Sequence, residues 1–292
     1  MKSVTVFLAA ISGLLLCTPV FSDEQFDELV EKAKAGDADA QFDLGGMYRF
    51  GVGVPKDYVE AVKWISKAAE QGDAESQLNL GDMYRRGNGV PKDDVEAAKW
   101  VRKAAEQGLA KAQFNLGAMY YAGNGVPKDD VEAVKWFRKA AEQDFARAQF
   151  NLGIMYANGK GVPQDYAETV KWYRKAAQQG LATAQFNLGV MYYAGNGVPK
   201  DDVEAVKWVR KAAEQGDADA QFNLGVMHYV GRRAPKDYAR AYMWLNLAAA
   251  KGSEKAAEGR DKLAKRMTKE QIAESQKLTR EWVARKAKEK GE

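Results

Sequence analysis

The 292-residue chain holds a single cysteine, Cys17, and a single histidine, His228. Cys17 lies inside an apolar N-terminal stretch, so the remainder of the chain has neither disulfide nor thiol chemistry to offer. A transition-metal site would need further His, Cys or grouped carboxylates converging on His228, and no second His or Cys exists. Ser66, Ser76, Ser253 and Ser275 all lack a lysine three residues later, so the SxxK arrangement of penicillin-recognising enzymes is missing. No catalytic residue, cofactor or metal is expected. Beyond Leu16 no segment reaches the roughly 18 consecutive apolar residues that a membrane span requires. A dominant charge is absent too: positions 23–250 carry 30 basic and 32 acidic residues. Without a basic stripe, nucleic acid is not an expected partner.

The first residues read as an export signal, 1–22. Lys2 supplies a positive start, Val4 to Leu16 an apolar stretch too short to span a bilayer, and Val20-Phe21-Ser22 the cleavage region, with cleavage expected after Ser22. Cys17 as a lipidated start is the alternative, although Leu16 is bulky for such processing. The mature protein is therefore expected to be soluble outside the cytoplasm, periplasmic or secreted.

What the chain does have is a period. Trp64, Trp100, Trp136, Trp172, Trp208 and Trp244 fall 36 residues apart, and Gln41, Gln77, Gln113, Gln149, Gln185 and Gln221 keep the same step. Six copies of a unit this size indicate an all-α solenoid of helix-turn-helix repeats over 37–252, in which neighbours complete one another's core. In the third copy the first helix is expected from about Ala110 to Ala122, ended by Gly123-Asn124-Gly125 because glycine tolerates positive φ. Asp129 is placed to cap the second helix, with Glu132 completing a capping box. The pairs Asp57/Glu60, Asp93/Glu96, Asp165/Glu168 and Asp201/Glu204 repeat this, and Asp237 keeps the cap while Arg240 breaks the box.

Repetition also decides against catalytic readings. The Asp/Glu pairs recur at helix starts, which makes them caps. Loops such as Gly87-Asn88-Gly89 follow no strand and continue into no P-loop lysine. Each tryptophan sits beside alanines such as Ala61, Ala68 and Ala69, a large-against-small pattern that suits a core. At the ends, residues 23–36 are expected to form a capping helix, with Phe26, Leu29 and Val30 at helical spacing. Residues 253–292 form a C-terminal helical cap of two helices, the second opened by the Thr268/Gln271 capping box and carrying Ile272, Leu278, Trp282 and Val283.

The Ala-Gln-x-x-Leu-Gly-x-Met-Tyr run, the Gly-x-Gly-Val-Pro-x-Asp loop and the Ala-x-x-Trp-x-x-x-Ala-Ala helix resemble the Sel-one-like repeat, a relative of the tetratricopeptide repeat, from about Ala38 to Gly252. Met267-Thr268-Lys-Glu-Gln-Ile272 is also similar to the closing segment of some bacterial members. The resemblance implies a right-handed superhelix that serves as a non-enzymatic adaptor for protein partners in the bacterial envelope or with host cells. Cysteine-rich relatives imply the alternative, a penicillin-recognising, β-lactamase-like or cell-wall-binding protein, but this sequence lacks their regular cysteines.

Comparing the copies separates scaffold from surface. Ala40, Gln41, Leu44, Gly45, Met47 and Tyr48 hold constant residue types on one side of the first helix, whereas positions 39, 43, 46 and 50 form a variable stripe. By family analogy this stripe lines a concave groove for a protein or peptide. Asp43 is followed in its column by Asn79, Asn115, Asn151, Asn187 and Asn223. These carboxamides either bond an extended peptide's main chain or fix the spacing of the repeats. Beside them lie Arg49, Arg85, Tyr121, Ala157, Tyr193 and Tyr229, of which the Arg and Tyr residues are candidates for partner contact. His228 replaces the tyrosine of the other copies and reads as a core substitution. The third and fifth copies differ from Gln113 to Gln143 and Gln185 to Gln215 only at Ala118/Val190 and Phe137/Val209, which suggests recent copying and places binding detail in the other four.

Overall fold

The computed structural model describes residues 22–231 and 236–291; the expected export signal, Cys17 included, lies outside them but for Ser22. Two compact units are present. The first, to Gln107, holds α1 (Asp23–Lys34), α2 (Ala38–Phe50), α3 (Tyr58–Glu70), α4 (Ala74–Arg86) and α5 (Asp94–Glu106). The second, from Gly108, holds α6 (Ala110–Ala122), α7 (Asp130–Glu142), α8 (Ala146–Asn158), α9 (Tyr166–Gln178), α10 (Ala182–Ala194), α11 (Asp202–Glu214), α12 (Ala218–Val230), α13 (Tyr238–Ala249), α14 (Glu254–Ala264) and α15 (Lys269–Lys290). The fold is all-α, of the repeat-solenoid class, and no strand occurs among the described residues. Each repeat pairs its two helices, and within each unit the second helix packs on the first helix of the next repeat; α1 packs on α2, and α13 carries both α14 and α15.

The caps explain the boundaries. At the start of α7 one carboxylate oxygen of Asp129 accepts the amides of Val131 at 2.9 Å and Glu132 at 3.0 Å, satisfying groups with no partner inside the helix. The expected return bond from the glutamate is not made. Glu60, Glu96, Glu132, Glu168 and Glu204 reach forward instead to the lysine one turn on. Glu168 and Glu204 also accept the indole N–H of Trp172 and Trp208 at 2.9 and 3.0 Å. An i, i+3 cation and an i, i+4 donor therefore win over the box. True capping boxes stand at Ser22/Gln25 and Thr268/Gln271. In the sixth repeat Asp237 caps the amide of Arg240, and the Arg240 guanidinium returns a bond to the same carboxylate.

Packing rests on large groups set against very small ones. Trp172 is buried among Ala133, Ala140 and Ala141 of α7 and Ala148 and Leu152 of α8, and Trp208 repeats this against α9 and α10. Lys175 and Lys211 lie over the two rings, 5.0 and 4.5 Å from their centroids. Helix pairs cross at glycine. A Cβ on Gly189 would lie 2.7 Å from Val209 Cγ2 and 3.0 Å from the Ala205 carbonyl oxygen. The loop glycine Gly197, at φ +70°, approaches the start of the preceding repeat's second helix so closely that a Cβ would sit 2.1 Å from the Tyr166 carbonyl oxygen.

The repeated glutamine is the buried polar element of this core. Gln185 donates its amide to the Ala177 carbonyl of α9 at 3.1 Å and accepts from Gln215 at 2.8 Å; Gln215 also reaches the Gly180 carbonyl. Gln149 and Gln179 repeat the first two of these bonds one repeat earlier, as do Gln41 and Gln71 in the first unit. In the sixth repeat Lys251 stands where the others place the second glutamine. It bonds the Gly216 carbonyl, and the buried Gln221 Oε1 is left without a partner. Gly189→Ala is expected to lower stability by about 1 to 3 kcal/mol through overpacking between α10 and α11. Urea unfolding measures this, and an unchanged midpoint would contradict the close crossing.

Candidate functional site: the exposed face of the first helices

In the first unit the stripe is charged and tied together. Arg49, only 16% exposed, donates to Asn79 Oδ1 at 2.7 Å and to Asp82 Oδ2 at 2.8 Å. Asp82 also accepts from Arg85 at 2.6 Å and Arg86 at 2.9 Å. Burial pushes the Asp82 carboxyl up, but hydrogen bonds from Arg86 and Arg85 and the charges of Arg86 and Arg49 outweigh it and hold the group below its ordinary value. Of the predicted contact residues here, Arg49 and Asn79 thus bind each other and Arg85 is exposed. Gly46 is buried, contrary to the expectation that the variable stripe lies outside the core, because a position without a side chain lets its neighbours close over it. Asp43, at the head of the asparagine column, is half-buried beside Asp39 and Asp37; burial first, then those charges, push its carboxyl up.

In the second unit the stripe is largely uncharged. Position 46 of the first copy becomes Ala118, Ile154, Val190 and Val226, the last two 41% and 38% exposed. Asn151, Asn187 and Asn223 donate to the carbonyls of Arg147, Thr183 and Asp219 one turn back on their own helices, at 3.0, 2.8 and 2.8 Å. These amides thus donate within their own helices, and each side chain keeps its carbonyl oxygen as an acceptor. Asn115 is half-buried at the equivalent place on α6. Three of the predicted tyrosines each carry a cation. Lys160 donates to the Tyr121 hydroxyl at 2.9 Å, Lys200 lies 5.6 Å from the Tyr193 ring centroid, and Arg266 donates to the Tyr229 hydroxyl at 2.7 Å. Sequence reasoning missed these cations, because they come from loops and from the turn before α15.

His228 breaks a repeated contact. Arg138 and Arg174 donate to the hydroxyls of Tyr156 and Tyr192 at 2.6 and 2.9 Å. Arg210 meets a half-buried imidazole instead, beside a cavity of about 460 Å³ lined also by Lys236, Asp237, Arg240 and Gln271. Burial pushes the imidazole down, with Arg210 and Arg240 adding to the effect and Asp237 opposing it. Among the described residues no group of three or more His, Cys, Asp or Glu is placed to hold a metal ion. Ser76 and Ser275 are fully buried, and Ser253 caps α14.

Two pH effects follow. The folded pKa of Asp43 is raised, so the unfolded state gives up its proton first and the fold loses stability as pH rises past the ordinary value of 3.8. Asp43→Asn is expected to raise the thermal midpoint at pH 7, with the gain shrinking below pH 3.8. For His228 the folded pKa is depressed, so its contribution is complete above the ordinary value of 6.5 and is lost as pH falls below it. His228→Tyr is expected to flatten the stability profile on the acid side of 6.5. Melts across pH check both, and parallel profiles for variant and parent would refute the assignments.

The model of the Sel1 repeat matches residues 38–73, 74–109, 110–145, 146–181, 182–217 and 218–253. No curated protein matches the chain. Among solved structures, a Sel1 repeat protein from Oxalobacter formigenes is 35% identical with a TM-score of 0.66, over 76% of this chain and 95% of that one. A protective antigen of uropathogenic Escherichia coli strains displaying an SLR fold is 31% identical with a TM-score of 0.41, over 91% of this chain and 73% of that one. Sel1-repeat proteins are generally protein-interaction scaffolds. With six consecutive matches and a scaffold whose caps, crossing glycines and glutamines recur with them, the chain belongs to the Sel1 repeat family.

Proposed function

We propose that this protein is an exported, non-enzymatic scaffold that binds a protein or peptide along the exposed face of its first helices. The observation that carries this reading is the split between positions. The alanines, leucines, glycines and glutamines that build the repeat are buried, while the stripe beside them varies and in α10 and α12 exposes Val190, Val226 and Val230. A scaffold needs no valine there: β-branched residues are mediocre helix formers, and clustered exposed apolar side chains mark contact surfaces. Export is supported by the pattern of residues 1–22. Among the described residues, no helix is long and apolar enough to cross a membrane.

A photo-crosslinking residue at Val226 is expected to capture a partner in the native cells, while one at Val203, 53% exposed on the second helix α11, is not. Equal capture at both positions would defeat the assignment of the face. Export has its own consequence. Cleavage after Ser22 removes the capping box and sets a new ammonium against the positive end of α1. The mature protein is then expected to begin at Asp23, with the first turn of α1 exchanging amide hydrogens fast. Intact mass and hydrogen exchange test this, and a chain retaining residues 1–22 in the medium or periplasm would refute it.

A further inference from the structure

The third and fifth repeats differ at two sites between their paired glutamines, and the structure gives the two differences different meanings. Phe137 and Val209 are both buried, where each packs against a helix-crossing glycine. Ala118 and Val190 both lie on the stripe; Ala118 is half-buried and Val190 is 41% exposed, so this change enlarges the aliphatic part of the surface. Together with Tyr193, Val226 and Val230, Val190 makes four large apolar side chains that are 38% to 48% exposed on the same face of α10 and α12. At that face the loop cations Lys200 and Arg266 rest on Tyr193 of α10 and Tyr229 of α12, and Lys160 rests in the same way on the equivalent Tyr121 of α6. They come from three separate places in the chain. None of the three has a carboxylate within ion-pair distance among the described residues, although lysines on the second helices regularly do.

We propose that this face takes a partner segment carrying aliphatic side chains beside carboxylates, a deepening that rests on the scaffold reading above. The aliphatic groups cover Val190, Val226 and Val230, and the carboxylates pair with cations that the tyrosines hold at the edge. Each cation is already oriented by its ring or hydroxyl, so the entropy lost on forming the pair is reduced. Discrimination against a basic segment follows from like-charge repulsion along the same edge.

The test uses four fluorescent peptides: alternating leucine and glutamate, leucine and serine, serine and glutamate, and leucine and lysine. Anisotropy titrations with the protein are expected to rank leucine/glutamate first, by roughly tenfold or more over the others. Val190→Asp and Val226→Asp should each lower that affinity at least about tenfold with unchanged circular dichroism and melting midpoint. Lys200→Glu should erase the preference of leucine/glutamate over leucine/serine and weaken the salt dependence. Equal binding of leucine/serine and leucine/glutamate, or indifference to both aspartate variants, would overturn the proposal. If all four peptides stay unbound while Val226 still crosslinks a partner, the partner chemistry is wrong and the scaffold reading stands; if neither occurs, both fall. Self-association that Val226→Asp abolishes, with no peptide bound, would assign the face to a second copy and also overturn it.

Discussion

A buried carboxamide sets how one repeat meets the next. The last turn of a helix leaves carbonyls without intrahelical partners, and that of Ala177 belongs to a fully buried residue of α9. Gln185 answers the Ala177 carbonyl of α9, and its own oxygen is answered by Gln215, which also takes the Gly180 carbonyl. One side-chain pair thus ties the end of α9, the first turn of α10 and the end of α11. Alanine at Gln185 would leave the buried Ala177 carbonyl without its partner, at a cost of about 1 to 3 kcal/mol, and would remove one acceptor from Gln215. A lengthened side chain would push apart helices that cross at Gly189.

Because the spacing is held from inside, the outer face of the first helices is free to differ from copy to copy. In the first unit it carries Arg49, Asp82, Arg85 and Arg86, which satisfy one another. In the second unit it carries valines with cations at the edge. Independence of this kind lets one architecture present different chemistry.

The sixth repeat is where the periodic bonds stop. Lys251 replaces a glutamine and leaves Gln221 Oε1 unanswered, His228 replaces a tyrosine that would accept from Arg210, and Arg240 replaces the glutamate that elsewhere holds a lysine. The stack is closed there by other means. Leu278 and Trp282 of α15 pack on the α11–α13 core, the Trp282 ring meets Trp244 edge-on at 6.1 Å, and Glu214 accepts from both the Trp282 indole and Arg285. Here aromatic burial and a shared carboxylate take the place of a following repeat.

The sequence by itself determined the repeat length, the helix order, the aspartate caps, the terminating glycines and the burial of most of the tryptophans. Each of these depends on residue type and on a period of 3.6 or 36, both readable along one dimension. It also placed 39, 43, 46 and 50 on one stripe, since position on a helix wheel needs no partner. What it left open is where long polar side chains spend their hydrogen bonds. Glu132 could have closed a capping box or held Lys135, Asn187 could have reached a neighbour or its own backbone, and Arg49 could have faced solvent or Asn79. Those choices turn on distances of a few ångströms between elements that meet only when the chain is stacked. The edge of cations is of the same kind: Lys160, Lys200 and Arg266 share no period, and only the tertiary structure brings them to equivalent tyrosines.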